Sequence, residues 1–327
     1  MGATPTRRRC SLALNTDSEQ HRPTVTRDRS SAEPSRAARD TAMTIERTSQ
    51  PTNALTVDVE DYFQVSALAP QIDRASWDAR PCRIERNVGR LLDLFERRNA
   101  KATFFTLGWI AERYPQVVRA IVAHGHELAS HGYGHLRVTE QTRSEFEQDV
   151  RRAKGLLEDL AGQPVRGYRA PSFSIDRSND WAFDVLLETG HAYSSSVYPV
   201  QHDHYGVPDA PRFPYYSRPG LLEIPLTTTR WLGRNLPASG GGYFRLAPYP
   251  VSRWALRRVN GQERRSAVFY MHPWEIDPDQ PRIARTSLKT RVRHYLNLHK
   301  TESRLDSLLR DFRWGRMDRV FGLAPVQ

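Results

Sequence analysis

From residue 54 to residue 187, short β-prone runs alternate with stretches of helical periodicity, and this alternation constrains the fold more than any other feature of the chain. Order begins with the run ALTVDV at residues 54–59. Ile84, Val88, Leu91, Leu92 and Phe95 then recur on one face of an amphipathic helix. Residues 102–107 read as a second buried strand, and Pro115 opens a helix that runs to Gly125. After a short strand at 127–130, a long helix from Thr139 carries Phe146, Val150, Ala153, Leu157 and Leu160, and stops near Gly162 and Pro164. A strand and loop over 167–173, a helix over 181–187 and a late apolar strand over 266–271 complete the pattern. Parallel strands need long crossovers, and helices supply them here. The fold class is therefore α/β, with a mostly parallel sheet that is either open or closed into a barrel. Residues 199–249, rich in Pro, Gly and aromatic side chains, break the rhythm and read as long loops or an insertion.

The 327 residues carry a formal charge of +11, and its placement matters more than its size. Residues 1–50 contribute +3 and residues 282–327 contribute +7, which leaves only +1 for 51–281. A basic groove through the main domain is not expected, and with it nucleic acid is set aside as a partner. Of the 48 basic residues, 44 are arginine; the skew runs through the whole chain and reads as composition bias. Cys10 and Cys82 form neither a disulfide framework nor a CxxC clamp. No apolar run approaches the roughly 20 residues of a membrane span. The apolar stretch after Arg7, Arg8 and Arg9 covers only residues 10–14, too short for a signal-peptide core, so the expected location is cytoplasmic.

Three regions follow. Residues 1–53 lack apolar periodicity and read either as a disordered tail or as an extension upstream of a start at Met43. Residues 54–281 carry the strand–helix alternation and read as the main domain. Residues 282–327 read as a basic helical extension carrying Leu296, Leu298, Leu305, Leu308 and Leu309.

Polar residues cluster where the predicted strands end, which is where α/β folds place their sites. In TVDVED (56–61), strand alternation turns Asp58 and Glu60 to one face and Asp61 to the other. Two carboxylates on one face can divide metal binding and base chemistry, or they can be a solvated strand end. In SHGYGH (130–135), His131 and His135 are four residues apart and can chelate one cation. In YRAPSF (168–173), Arg169 can orient a catalytic carboxylate, though one arginine among 44 says little by itself. In FYMHPWE (269–275), His272 closes an apolar strand, a place where an isolated histidine is often structural.

In this order and combination the four elements resemble the polysaccharide deacetylase family, also called the NodB-homology or chitin deacetylase family, over residues 54–275. HDHYGVPDAPRFP (202–214), GGGYFRLAP (240–248) and RHYLNLHKTESRLDSLL (293–309) further resemble its exosortase-associated exopolysaccharide deacetylases. The resemblance implies a distorted (β/α) barrel holding one divalent metal ion, zinc first, with cobalt or nickel as alternatives. It implies His131 and His135 as metal ligands, Asp58 as general base, Arg169 as its buttress and His272 as general acid.

Most members carry TFDD on the first strand, and this chain has Val59 at the second aspartate. Glu60 is taken as the third ligand because it lies beside Asp58, with Asp61 as the fallback. The family's fourth motif often supplies an acid to orient the catalytic histidine, but residues 190–199 offer Ser194, so the partner of His272 stays open. Tyr133, Pro171, Phe173 and Trp274, with Tyr243, are candidate substrate-binding residues; burial in the core is the competing reading. Gly240, Gly241 and Gly242 read as a flexible loop lining the cleft, since no Lys-Ser/Thr follows to make a phosphate loop.

The function implied is metal-dependent removal of N-acetyl groups from an N-acetylated saccharide or polysaccharide precursor in exopolysaccharide assembly. The alternatives are hydrolysis of a cyclic amide on the same fold, or an inactive saccharide-binding protein. A lipid-linked precursor would bring the basic C-terminus to the inner membrane surface, against which stands a merely solvated basic face.

Overall fold

A computed structural model describes residues 50–202 and 205–323. The expectations about Arg7 to Arg9, Cys10 and Met43 lie outside the described residues. In chain order the described elements are β1 (Asn53–Val59), α1 (Ile84–Arg97), β2 (Thr103–Thr106), α2 (Gly108–Arg113), α3 (Pro115–Ala123), β3 (Glu127–Ser130), α4 (Arg143–Ala161), β4 (Gly167–Tyr168), α5 (Ala182–Glu188) and β5 (Tyr193–Ser194). They continue with β6 (Tyr215–Arg218), β7 (Leu221–Glu223), β8 (Thr228–Trp231), β9 (Arg234–Pro237), α6 (Gly241–Leu246), α7 (Tyr249–Arg257), β10 (Val268–Met271), α8 (Leu288–Tyr295), α9 (Leu298–Asp311), β11 (Trp314–Gly315) and α10 (Met317–Val320).

The main sheet runs β10-β1-β2-β3-β4-β5-β7-β6, with β11 also on β1, and every pairing is parallel except β6 with β7. β4 and β5 are only two residues long, and among the described residues the sheet ends at β6, with no strand pairing across the gap from that side to β10. Backbone from Ile224 to Gly240 bridges that gap, where Leu226 donates to Val197 O and Tyr270 donates to Ser239 O. The result is the distorted (β/α) barrel that the sequence predicts.

Strand β1 is buried on both faces. Leu55, Val57 and Val59 pack with the helix layer that includes Val88, Leu91 and Phe95 of α1, whereas Ala54 packs with Phe105 and Ala129 inside the barrel. Thr56 and Asp58 share the inward parity of Ala54. The helix expected from Thr139 starts at Arg143 because Thr142 and Glu145 form a capping box, and it ends at left-handed Gly162.

Two expectations are corrected. The three glycines at 240–242 do not form a flexible loop. A Cβ on Gly240 would lie 2.1 Å from Tyr270 O, and one on Gly241 would lie 2.3 Å from the Tyr270 hydroxyl, so the run packs against β10. The C-terminal stretch, described for residues 282–323, is mostly helical but not an appendage. Leu298, Leu305, Leu308, Leu309 and Trp314 join the main core, and Trp314 pairs with Asn53 at the start of β1. The described residues from 50 onward cluster as one compact unit, so no boundary falls at 281. Among the described residues, no helix is long and apolar enough to cross a membrane.

Candidate active site

Three side chains converge where β1 and β3 end. Ligand atoms of Glu60, His131 and His135 all lie within 4.8 Å of one another, and all three residues are buried. His131 Nδ1 donates to Arg169 O at 2.8 Å; since a carbonyl only accepts, the lone pair of this imidazole sits on Nε2. Burial lowers the His131 pKa to about 4 and keeps the ring neutral, as a metal ligand must be. Glu60 Oε2 lies 2.6 Å from His135 Nε2, yet it has no hydrogen-bond partner at acceptable angles. Two such atoms brought this close, with His131 beside them, could serve as ligands of one cation.

Burial pushes the Glu60 carboxyl up, but the facing His135, His272 and His131 outweigh it and hold it at about 2. Left-handed backbone at His135 (φ 53°), after left-handed Gly132, folds the two histidines onto one side. Two histidines and one carboxylate that could hold a cation make up a donor set of catalytic rather than structural zinc sites.

Asp61, the fallback ligand, turns away as alternation predicts. It accepts from the Tyr62 and Arg83 backbone N–H groups and caps the turn Tyr62–Gln64.

Asp58 Oδ1 accepts from Arg169 Nη1 at 2.6 Å. The guanidinium is fully buried and also binds Thr56 Oγ1 (2.8 Å), Ser195 O (3.1 Å) and Ser195 Oγ (3.0 Å), with its carbon 4.0 Å from the centre of the Phe105 ring. Such a web fixes the Asp58 carboxylate in one orientation. Arg169 thus orients Asp58 with its side chain and His131 with its carbonyl.

His272 Nε2 points into the same cluster, 3.4 Å from Glu60 Oε1 and 3.9 Å from Asp58 Oδ2. Its orienting partner is Glu275, whose Oε1 accepts from Nδ1 at 2.7 Å. Glu275 Oε2 in turn accepts from buried Arg245 at 2.7 Å. Burial lowers the His272 pKa, but Glu60, Glu275 and Asp58 raise it further, to about 9. Ser194 has no part in this: it donates to Ser196 Oγ within a separate buried serine network. The signal for Glu275 is present in HPWE, a glutamate at the third position of a turn opened by proline. Arg245 has no local signal; it lies 30 residues from Glu275.

The expected substrate-binding set is corrected. Trp274 is 3% exposed and lies between two imidazoles, 5.3 Å from His272 and 4.3 Å from His294, so it packs behind the acid. Phe173 is 6% exposed and packs on Tyr198, Tyr205 and Tyr270. Pro171 is buried at the start of a turn. Tyr133 donates to Glu112 of α2, with Arg152 of α4 3.5 Å from its ring centre. None of the four forms an open stacking wall. The partly exposed aromatic ledge is His202, Tyr205 and Tyr243, with the first two stacked at 4.0 Å.

Comparison with known proteins agrees with this geometry. Residues 74–191 match the polysaccharide deacetylase family, and residues 195–322 match a family described only as a domain of unknown function, DUF3473. The chain is 30% identical over 136 residues to a peptidoglycan deacetylase of Helicobacter pylori, covering 42% of each chain. It is 33% identical over 135 residues to a chitooligosaccharide deacetylase of Sinorhizobium fredii, covering 41% of this chain and 55% of that one. It therefore spans about half or less of the length of these relatives. The crystal structure of a candidate polysaccharide deacetylase from Mycobacterium smegmatis shares the fold, with a TM-score of 0.53 at 19% identity over 86% of this chain and 96% of that one. Asp58 and Glu60 precede the first matched segment, and His272, Glu275 and Arg245 lie in the second, so the cluster draws on both. Residues 74–191 are thus similar to the polysaccharide deacetylase family, and the fold is one that a solved structure described as a polysaccharide deacetylase shares.

Proposed function

We propose that the protein is a metal-dependent N-deacetylase that removes acetyl groups from an N-acetylated saccharide during exopolysaccharide assembly. The observation that carries this reading is the convergence of Glu60, His131 and His135 within 4.8 Å, beside Asp58 and His272. Glu60, His131 and His135 would hold a divalent ion, which when bound would supply an acidified water near neutral pH and charge stabilisation for an oxyanion.

The protein's own groups divide the rest. Asp58 Oδ1 is held by Arg169, so Oδ2 takes the proton as water oxygen bonds to the acetamido carbon. As the C–N bond breaks, His272 Nε2 gives its proton to the departing nitrogen, which is otherwise a poor leaving group. Glu275 keeps the ring aimed and charged for that step. The products are acetate and an amino sugar, and the cycle closes when Asp58 releases its proton to solvent and His272 takes one up.

The exopolysaccharide assignment rests on the stretches 202–214, 240–248 and 293–309, all within the DUF3473 segment. In this reading the substrate is a precursor on the cytoplasmic side of the inner membrane. The test is acetate release from a panel of N-acetylated oligosaccharides with added zinc, cobalt or nickel; no release from any of them overturns the proposal.

A further inference from the structure

Strands β8 and β9 form a two-stranded hairpin that pairs with no other strand. Trp231 faces Arg234 across the ladder, so the turn is the pair Leu232-Gly233. Both have positive φ, 47° and 77°. A two-residue turn of that kind favours Asn-Gly, because asparagine tolerates left-handed backbone and leucine does not. Leu232 is nevertheless 90% exposed and Trp231 is 48% exposed. The fold gains nothing from a strained leucine pointing into water, so the gain lies outside the fold.

The surroundings indicate what accepts it. The Trp231 ring lies 5.0 Å from Trp254 of α7, and exposed Val251 sits one helical turn before Trp254. Residues 228–265 hold eight arginines and one acid, Glu263. Glu263 is paired with Arg212, Arg253 with Asp311, and Arg245 is buried beside Glu275. Arg230, Arg234, Arg257, Arg264 and Arg265 are exposed.

We infer that this surface docks on an anionic lipid bilayer, with Leu232 and Trp231 entering the headgroup boundary and the arginines meeting lipid phosphates. Interfacial tryptophan, an apolar tip and a cationic rim are the chemistry of a peripheral membrane contact. A second copy of the chain would bring like charge to like charge, and a nucleic acid offers nothing to a protruding leucine. The hairpin leaves the barrel at Thr227, whose hydroxyl accepts from Val268 at the start of β10, whereas His272 follows the end of that strand. Docking there leaves the catalytic cluster uncovered.

The test is co-sedimentation of the full chain with phosphatidylcholine vesicles, with and without a third of phosphatidylglycerol. Binding is expected only to the anionic vesicles. Leu232→Asn keeps every charge and installs the favoured turn, so its melting temperature should hold or rise while vesicle affinity falls. W231S/W254S, added to it, should bring the loss to at least about tenfold, the scale on which a few buried apolar groups act. Acetate release from a soluble substrate should match the wild type in both variants, which separates this inference from the deacetylase reading. Wild-type indifference to anionic vesicles overturns it, as does full binding by the triple variant, which would assign the attraction to charge elsewhere in the chain. Equal affinity for soluble dextran sulfate, with the same affinity in L232N, also overturns it.

Discussion

Glu275 binds the Nδ1 of His272 from only three residues along the chain, at 2.7 Å, and this short relationship decides which nitrogen of the imidazole faces Glu60 and Asp58. Glu275→Gln keeps the shape and removes the charge. Burial works against protonation of His272, and Glu60, Glu275 and Asp58 hold its pKa at about 9. The acid is the protonated ring, so activity is lost as pH rises through that pKa, and E275Q should bring the alkaline fall to lower pH. The kcat on an N-acetyl sugar should drop about tenfold or more, within the range of a weakened general acid. Aryl acetate, whose leaving group needs no proton, should be nearly unaffected; equal losses on both substrates would refute the assignment.

Arg169 and Asp58 form an ion pair in which neither partner meets solvent. Breaking one side leaves an uncompensated buried charge, so Arg169→Met should cost about 3–5 kcal/mol in denaturant unfolding. Asp58→Asn should retain bound metal and lose acetate release, since the triad stays intact while Oδ2 is replaced. Substantial activity in D58N would remove Asp58 from the role of base.

Elemental analysis of the purified protein should find about one divalent ion per chain, and H131A/H135A should hold none. A ligand that binds only the folded state stabilises it by roughly 4 kcal/mol at a thousandfold excess over Kd. A chelator should therefore lower the melting temperature of the wild type and leave that of the double variant unchanged. Equal chelator sensitivity in both would place the ion elsewhere.

Truncation after Pro281 removes β11 and the apolar face of α9 from the core. Circular dichroism should show loss of cooperative unfolding, whereas an accessory segment would leave a stable barrel. The single change Trp314→Ala should cost about 3–5 kcal/mol, as for other buried aromatics.

How far the sequence reads depends on the range of each interaction. β1, α1 and α4 carry their own periodicity, and Asp58, Glu60, His131, His135, Arg169 and His272 stand at strand ends, where alternation marks them as candidates and the family resemblance implies their roles. The two-residue strands β4, β5 and β11 are too short to have a period, so only their partners define them. Arg245 reaches Glu275 across 30 residues with no motif between. Phe173 and Trp274 have the composition of a sugar-binding wall, but their neighbours are other rings, and burial decides their role. Averaged charge also misleads. The near-neutral stretch 51–281 contains a strongly basic hairpin and helix, offset by acids elsewhere in it.

The pairing of β11 with β1 joins Trp314 to Asn53, so the strand that carries Asp58 gains its last neighbour from the far end of the chain. During synthesis the first strand leaves the ribosome long before that neighbour exists, and contacts of such separation form late and slowly. The backbone amides of Asn53 and Ala54 should therefore gain protection later than those of Val57 to Val59 in pulse-labelled refolding, so the start of the first strand is the last part of it to be secured.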